Sequence, residues 1–111
     1  MEEANQYEII PCLVEAIVNL IQPSKIILFG SCARGCITRH SDIDLCIVVK
    51  EEISVKERAE LRGFLTNALL DITDYDLDLL IFSEDIWKRN CLDRGTIMGK
   101  ILREGELLYG G

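Results

Sequence analysis

Apolar residues recur at Ile9, Leu13, Ile17 and Ile21, with Ile10, Val14 and Val18 beside them, at the spacing of a helix with one buried face. Pro11 fits the first turn of that helix and Pro23 ends it. The runs "KIILF" and "DIDLCIVV" are dense in aliphatic and β-branched residues and read as two buried strands, joined by a polar link that opens with Gly30-Ser31. Ser54 and Glu57 form a capping-box signature, after which Leu61, Phe64, Leu65, Ala68 and Leu69 continue a helical face to Leu70. "DLDLLIF" predicts a third strand, Ser83 caps a helix through Trp87, and Ile97, Met98, Ile101 and Leu102 mark a last helical segment before "EGELLYGG". The order is α-β-α-β-α-β-α, the second helix being a turn or one short helix. It predicts an α/β fold with a small mixed sheet. No linker or repeat interrupts the chain, so one domain is expected over residues 1–111.

Alternation along a strand sends Ile43, Leu45, Ile47 and Val49 to one face and Asp42, Asp44, Cys46 and Val48 to the other. The third strand repeats the layout, with Asp76, Asp78, Leu80 and Phe82 on one face. Both faces begin acidic and turn apolar. A full helix joins these two strands, the connection parallel neighbours need, so their starts share one end of the sheet. The link from the first strand to the second is short for a crossover, so an antiparallel pair is expected, which brings Gly30-Ser31 to the same end.

Carboxylates roughly 7 Å apart along a strand and about 5 Å apart between strands repel unless a cation or a shared proton neutralises them. All-oxygen ligation suits Mg²⁺ or Mn²⁺, which keeps waters and accepts substrate phosphate oxygens. Gly30 lets a backbone approach a ligand closely, and Ser31 at a helix start offers N–H groups and a hydroxyl to an anion. Each element alone is an ordinary turn or cap; together they describe a metal–nucleotide site.

The charge narrows the partners. The chain has 19 acidic and 12 basic residues, a net charge of −7, which disfavours binding to a nucleic-acid backbone. No apolar run is long enough for a membrane span, and the start "MEEANQYEII" is acidic where a signal peptide is basic, so the expected location is cytoplasmic. The five cysteines, at 12, 32, 36, 46 and 91, do not form an even disulfide framework and are expected reduced. Cys32, Cys36 and His40 would share one face of a continuous helix as metal ligands, but Gly35 breaks such a helix and no fourth ligand is near in sequence.

At these residues the chain resembles the nucleotidyltransferase superfamily of the DNA polymerase β type. More closely, it resembles the minimal nucleotidyltransferases, the antitoxins of HEPN/MNT pairs. The resemblance is carried by "FGSCARG", "SDIDLCIV", "LDLL" and "ILREGELLY", and covers nearly the whole chain. It implies the nucleotidyltransferase fold and transfer of AMP from ATP to a hydroxyl, a tyrosine of a HEPN toxin. In this scheme Asp42 and Asp44 hold the metals, and Asp78 is the third carboxylate, beside the metals and activating the acceptor. Gly30 and Ser31 hold donor phosphates, with Arg34 as a further phosphate contact. Asp76 competes with Asp78 for the third role; Asp78 has the aliphatic-Asp-aliphatic context. The implied cofactor is Mg²⁺, two ions, with Mn²⁺ an alternative, and ATP is the donor. Assembly as a homo-oligomer or as a hetero-oligomer with the toxin is left open. A non-catalytic module of the same fold, neutralising its partner by contact alone, is the competing expectation.

Overall fold

The computed structural model describes residues 5–111, so Met1–Ala4 of the acidic start lie outside the described residues. Helix α1 spans Gln6–Ile21 and is capped by the Asn5 side chain, which accepts the Glu8 N–H at 3.2 Å. That cap starts the helix ahead of the apolar stripe, so Pro11 stands in the second turn rather than the first, on the exposed side. Strand β1 (Lys25–Phe29) runs directly into the short helix α2 (Gly30–Arg34), and β2 follows at Ile43–Val49. Helix α3 (Val55–Leu69) begins with the predicted capping box: Ser54 N–H donates to Glu57 Oε1 at 3.0 Å, and Glu57 N–H to Ser54 Oγ at 3.1 Å. It is the crossover to β3 (Leu77–Ser83). Ser83 caps α4 (Glu84–Asn90), and Thr96 caps α5 (Ile97–Glu104).

The tail after α5 is not a loose end. Residues Glu106–Tyr109 form strand β4, antiparallel to β1, a fourth strand that the apolar pattern does not announce. Its side chains are mostly exposed; its pairing with the buried β1 holds it, and period-two patterning is weak over four residues.

The strand order is β3-β2-β1-β4. β1 and β2 are antiparallel, from Lys25 opposite Val48 to Phe29 opposite Asp44, and β2 and β3 are parallel, from Ile43 opposite Leu77 to Val49 opposite Ser83. Both pairings are those the connection lengths predict. One face of the sheet, carrying Ile26, Leu28, Ile43, Leu45, Ile47, Leu79 and Ile81, packs on Ile10, Leu13 and Ile17 of α1 and Leu65 and Leu69 of α3. The opposite face packs Ile27, Cys46 and Val48 against Trp87 of α4 and Ile101 of α5. Each fully buried aliphatic side chain contributes about 1.5–3 kcal/mol, so two such layers hold the strand ends rigidly. Among the described residues no helix is long and apolar enough to cross a membrane.

Candidate active site

The acidic ends of β2 and β3 lie on the α4–α5 face, just beyond the second apolar layer. Asp44 stands directly opposite Asp78 in the parallel ladder, and the two side chains are hydrogen-bonded. Asp44 also pairs in register with Phe29, the last residue of β1, which brings the Gly30 turn alongside. Gly30 has φ +71°, and a Cβ there would come within 2.0 Å of Asp44 Oδ2. Only glycine satisfies both the backbone and the close approach of that carboxylate.

The half-buried Asp44 carboxyl is raised to about 6, first by desolvation, then by the charges of Asp78 and Asp42, and further by the hydrogen bond its protonated form donates to Asp78; Arg34 opposes the shift. Arg34 at the end of α2 is thus in electrostatic reach of the acidic group. Ser31 is half-buried in the first turn of α2, and its carbonyl accepts the Cys36 N–H at 3.0 Å. Asp42 is exposed just before β2; Asp76 is exposed just before β3, and its carbonyl accepts the Ile43 N–H at 2.9 Å. Asp76 is not among the groups that act on Asp44, whereas Asp78 is the neighbouring charge that acts on it most strongly.

Sequence reasoning missed the group that holds the loop between α2 and β2. The Gln6 side chain, 1% exposed, donates from Nε2 to the carbonyls of Thr38 at 2.8 Å and Ser41 at 3.0 Å. Tyr7 donates its hydroxyl to the Cys32 carbonyl at 2.8 Å. Gln6 lies four residues before Ile10 on the buried stripe of α1, and an amide in line with an apolar stripe is the signal that could have exposed it.

Cys32, Cys36 and His40 do not converge. Helix α2 stops at Arg34, Gly35 is left-handed at φ +72°, Cys32 is buried with its thiol toward the Asp42 carbonyl, and Cys36 and His40 are exposed. Among the described residues no group of three or more His, Cys, Asp or Glu is arranged to hold a metal ion. That holds for the aspartates too: the chain offers a tight pair, Asp44 and Asp78, with Asp42 two residues before Asp44, just outside β2. A pair of carboxylates fits Mg²⁺, which completes its shell with waters and phosphate oxygens, and a cation would relieve the charge repulsion from Asp78 and Asp42 that, after desolvation, raises Asp44.

A cavity of about 190 Å³ opens beside the Gly30 turn, lined by Phe29, Gly30 and Arg34 together with Ile97, Lys100, Ile101 and Glu104 of α5. A larger hollow of about 530 Å³ lies at the other end of the sheet, past Val49, and is lined by Glu51, Glu52 and Glu57, which would repel a phosphate.

The model of the family described as "Polymerase beta, Nucleotidyltransferase" matches residues 13–110. Three solved structures share the fold. A toxin–antitoxin complex with AMP-PNP is 26% identical at a TM-score of 0.57, covering 96% of this chain and 74% of that one. A mutant of the toxin–antitoxin pair MntA–HpeT is 27% identical at 0.56, covering 98% and 75%. A tri-AMPylated Shewanella oneidensis HEPN toxin in complex with its MNT antitoxin is matched at 22% identity and 0.54, covering 91% and 72%. No curated protein matches the chain significantly.

Proposed function

The chain belongs to the polymerase β nucleotidyltransferase family, and from that premise we propose that it transfers AMP from ATP to a hydroxyl, a tyrosine, of a HEPN toxin partner, and so acts as its antitoxin. The observation that carries the reading is the Asp44–Asp78 pair facing the Gly30 turn, since clustered carboxylates beside an anion-binding helix start have no use in a protein that only binds. Its support from known proteins is that two complexes of 26% and 27% identity are toxin–antitoxin pairs, one holding AMP-PNP. In the Shewanella oneidensis complex, whose antitoxin shares the fold, the toxin is itself AMPylated.

Asp44 and Asp78, with Asp42 just before β2, would hold Mg²⁺ or Mn²⁺, which when bound would offset charge on the attacking and leaving oxygens. The free N–H groups at the Gly30-Ser31 turn, the Ser31 hydroxyl and the Arg34 guanidinium would hold the donor phosphates. Asp78 would take the proton of the acceptor hydroxyl as its oxygen bonds the α-phosphorus and the bond to pyrophosphate breaks. Asp44 positions Asp78 across the ladder.

Incubation of the purified protein with labelled ATP, Mg²⁺ and the product of the gene adjacent to its own tests the reading, with label expected on a tyrosine of that partner. A stable complex that never becomes labelled would favour the contact-only antitoxin instead.

A further inference from the structure

Strand β3 closes one side of the sheet, and among the described residues no strand pairs with its outer edge. Such an edge is a template for an added strand. A groove of about 360 Å³ runs along it, lined by Val55, Arg58 and Arg62 of α3, Leu80 and Phe82 of β3, and Ile97 of α5. Two of its apolar walls are open to solvent, Val55 at 74% and Ile97 at 47% exposed. Arg58 and Arg62 stand one helical turn apart and form no side-chain hydrogen bond or ion pair among the described residues. In a chain of net charge −7, an apolar groove edged by two unpaired arginines is an exception.

The groove begins at the chemistry. Leu80 lies two residues beyond Asp78 on the same strand face, roughly 7 Å along β3. A second apolar groove, between α1 and β4 and lined by Ile10, Val14, Val18 and Leu108, is on the far edge of the sheet. Three strand spacings, about 14 Å, separate that edge from β3.

Resting on the transferase reading above, we propose that the β3 edge is the docking surface for the acceptor, an acidic, extended segment of the toxin partner that carries the accepting hydroxyl. The segment pairs its backbone with β3, places carboxylates on Arg58 and Arg62, covers Val55 and Ile97, and delivers its hydroxyl to Asp78. Guanidinium–carboxylate pairs are bidentate and set the register, while backbone pairing supplies affinity with little demand on sequence. The arginines thereby select an acidic stretch of chain.

The test is Arg58→Glu with Arg62→Glu in the full chain, beside the milder Arg58→Gln with Arg62→Gln and an Arg103→Glu control on the exposed surface of α5. Binding of the HEPN partner should weaken at least tenfold on charge reversal and less on neutralisation, transfer should fall through KM for the partner, and Mg·ATP affinity and melting temperature should hold. Arg103→Glu should change none of these. Hydrogen exchange of the complex should show protection at Leu80–Phe82. Charge reversal that leaves partner binding unchanged, or protection confined to the α1–β4 side, overturns the proposal. A wild-type protein that binds partner and Mg·ATP but transfers nothing defeats the transferase reading instead, and binding and exchange still decide the docking.

Discussion

Asp44 and Asp78 face each other across the parallel β2–β3 ladder, and a hydrogen bond between their side chains favours the protonated form of Asp44. Asp44 is correspondingly raised to about 6 from the usual 3.8, by desolvation first and by Asp78 second. The folded chain therefore binds more protons than the unfolded chain between those values, and the contribution of Asp44 to stability is full below about pH 4 and lost as pH rises through about 6.

In EDTA, Asp44→Asn should then melt above the wild type at neutral pH, and the difference should vanish toward about pH 4, where the wild-type carboxyl is protonated. Thermal melts across that range read the effect directly. A gap of constant size at every pH would mean that the substitution acts through packing and not through charge.

Gly30 and Gly35 both have positive φ, at +71° and +72°, yet their surroundings differ. A methyl on Gly30 meets the Asp44 carboxylate, whereas nothing lies within 4 Å of one on Gly35. Gly35→Ala should cost only backbone strain, about 1–2 kcal/mol, with transfer retained. Gly30→Ala should add displacement of Asp44 to the same strain and lower transfer by about 100-fold, the scale of a small misplacement at a reacting centre. Equal effects on transfer would show that the close approach to Asp44 is irrelevant.

Gln6 ties α1 to the loop that delivers Asp42. Gln6→Leu keeps the volume but removes the side-chain donor from the Ser41 carbonyl and leaves the Thr38 carbonyl only the Ser41 N–H, and should cost about 1–3 kcal/mol in urea unfolding. The looser loop should also raise the Mg²⁺ concentration needed for half-maximal transfer. Unchanged metal dependence in a destabilised variant would confine Gln6 to a structural role.

What could be read in the sequence follows from which constraints are local. The strand faces of Asp44 and Asp78 come from a period of two, and the parallel and antiparallel pairings follow from the length of the connections. The capping box at Ser54 and Glu57 was legible for the same reason. Strand β4 was not, because four mostly exposed residues carry too little pattern and owe their conformation to β1. Nor was Gln6, whose partners lie 32 and 35 residues away in sequence. The start of α1 was misjudged because Asn5 caps the helix before its apolar stripe begins, which moved Pro11 one turn inward.

The choice between the two acidic residues that open the third strand is the sharpest check on the strand argument. Asp78 lies opposite Asp44 inside β3, while Asp76 precedes the strand and reaches the ladder only through its carbonyl, which accepts the Ile43 N–H at 2.9 Å. That backbone bond does not depend on the side chain. Asp78→Asn should lower transfer at least about 100-fold, the lower range for loss of a positioned proton acceptor, with folding intact or improved as repulsion at Asp44 falls. Asp76→Asn should change transfer little, because its carboxylate is one pleat repeat, roughly 7 Å, further along the strand from Asp44. Rates for the two variants at saturating Mg·ATP decide the matter: the reverse ranking would move the proton acceptor out of β3 and onto the turn before it.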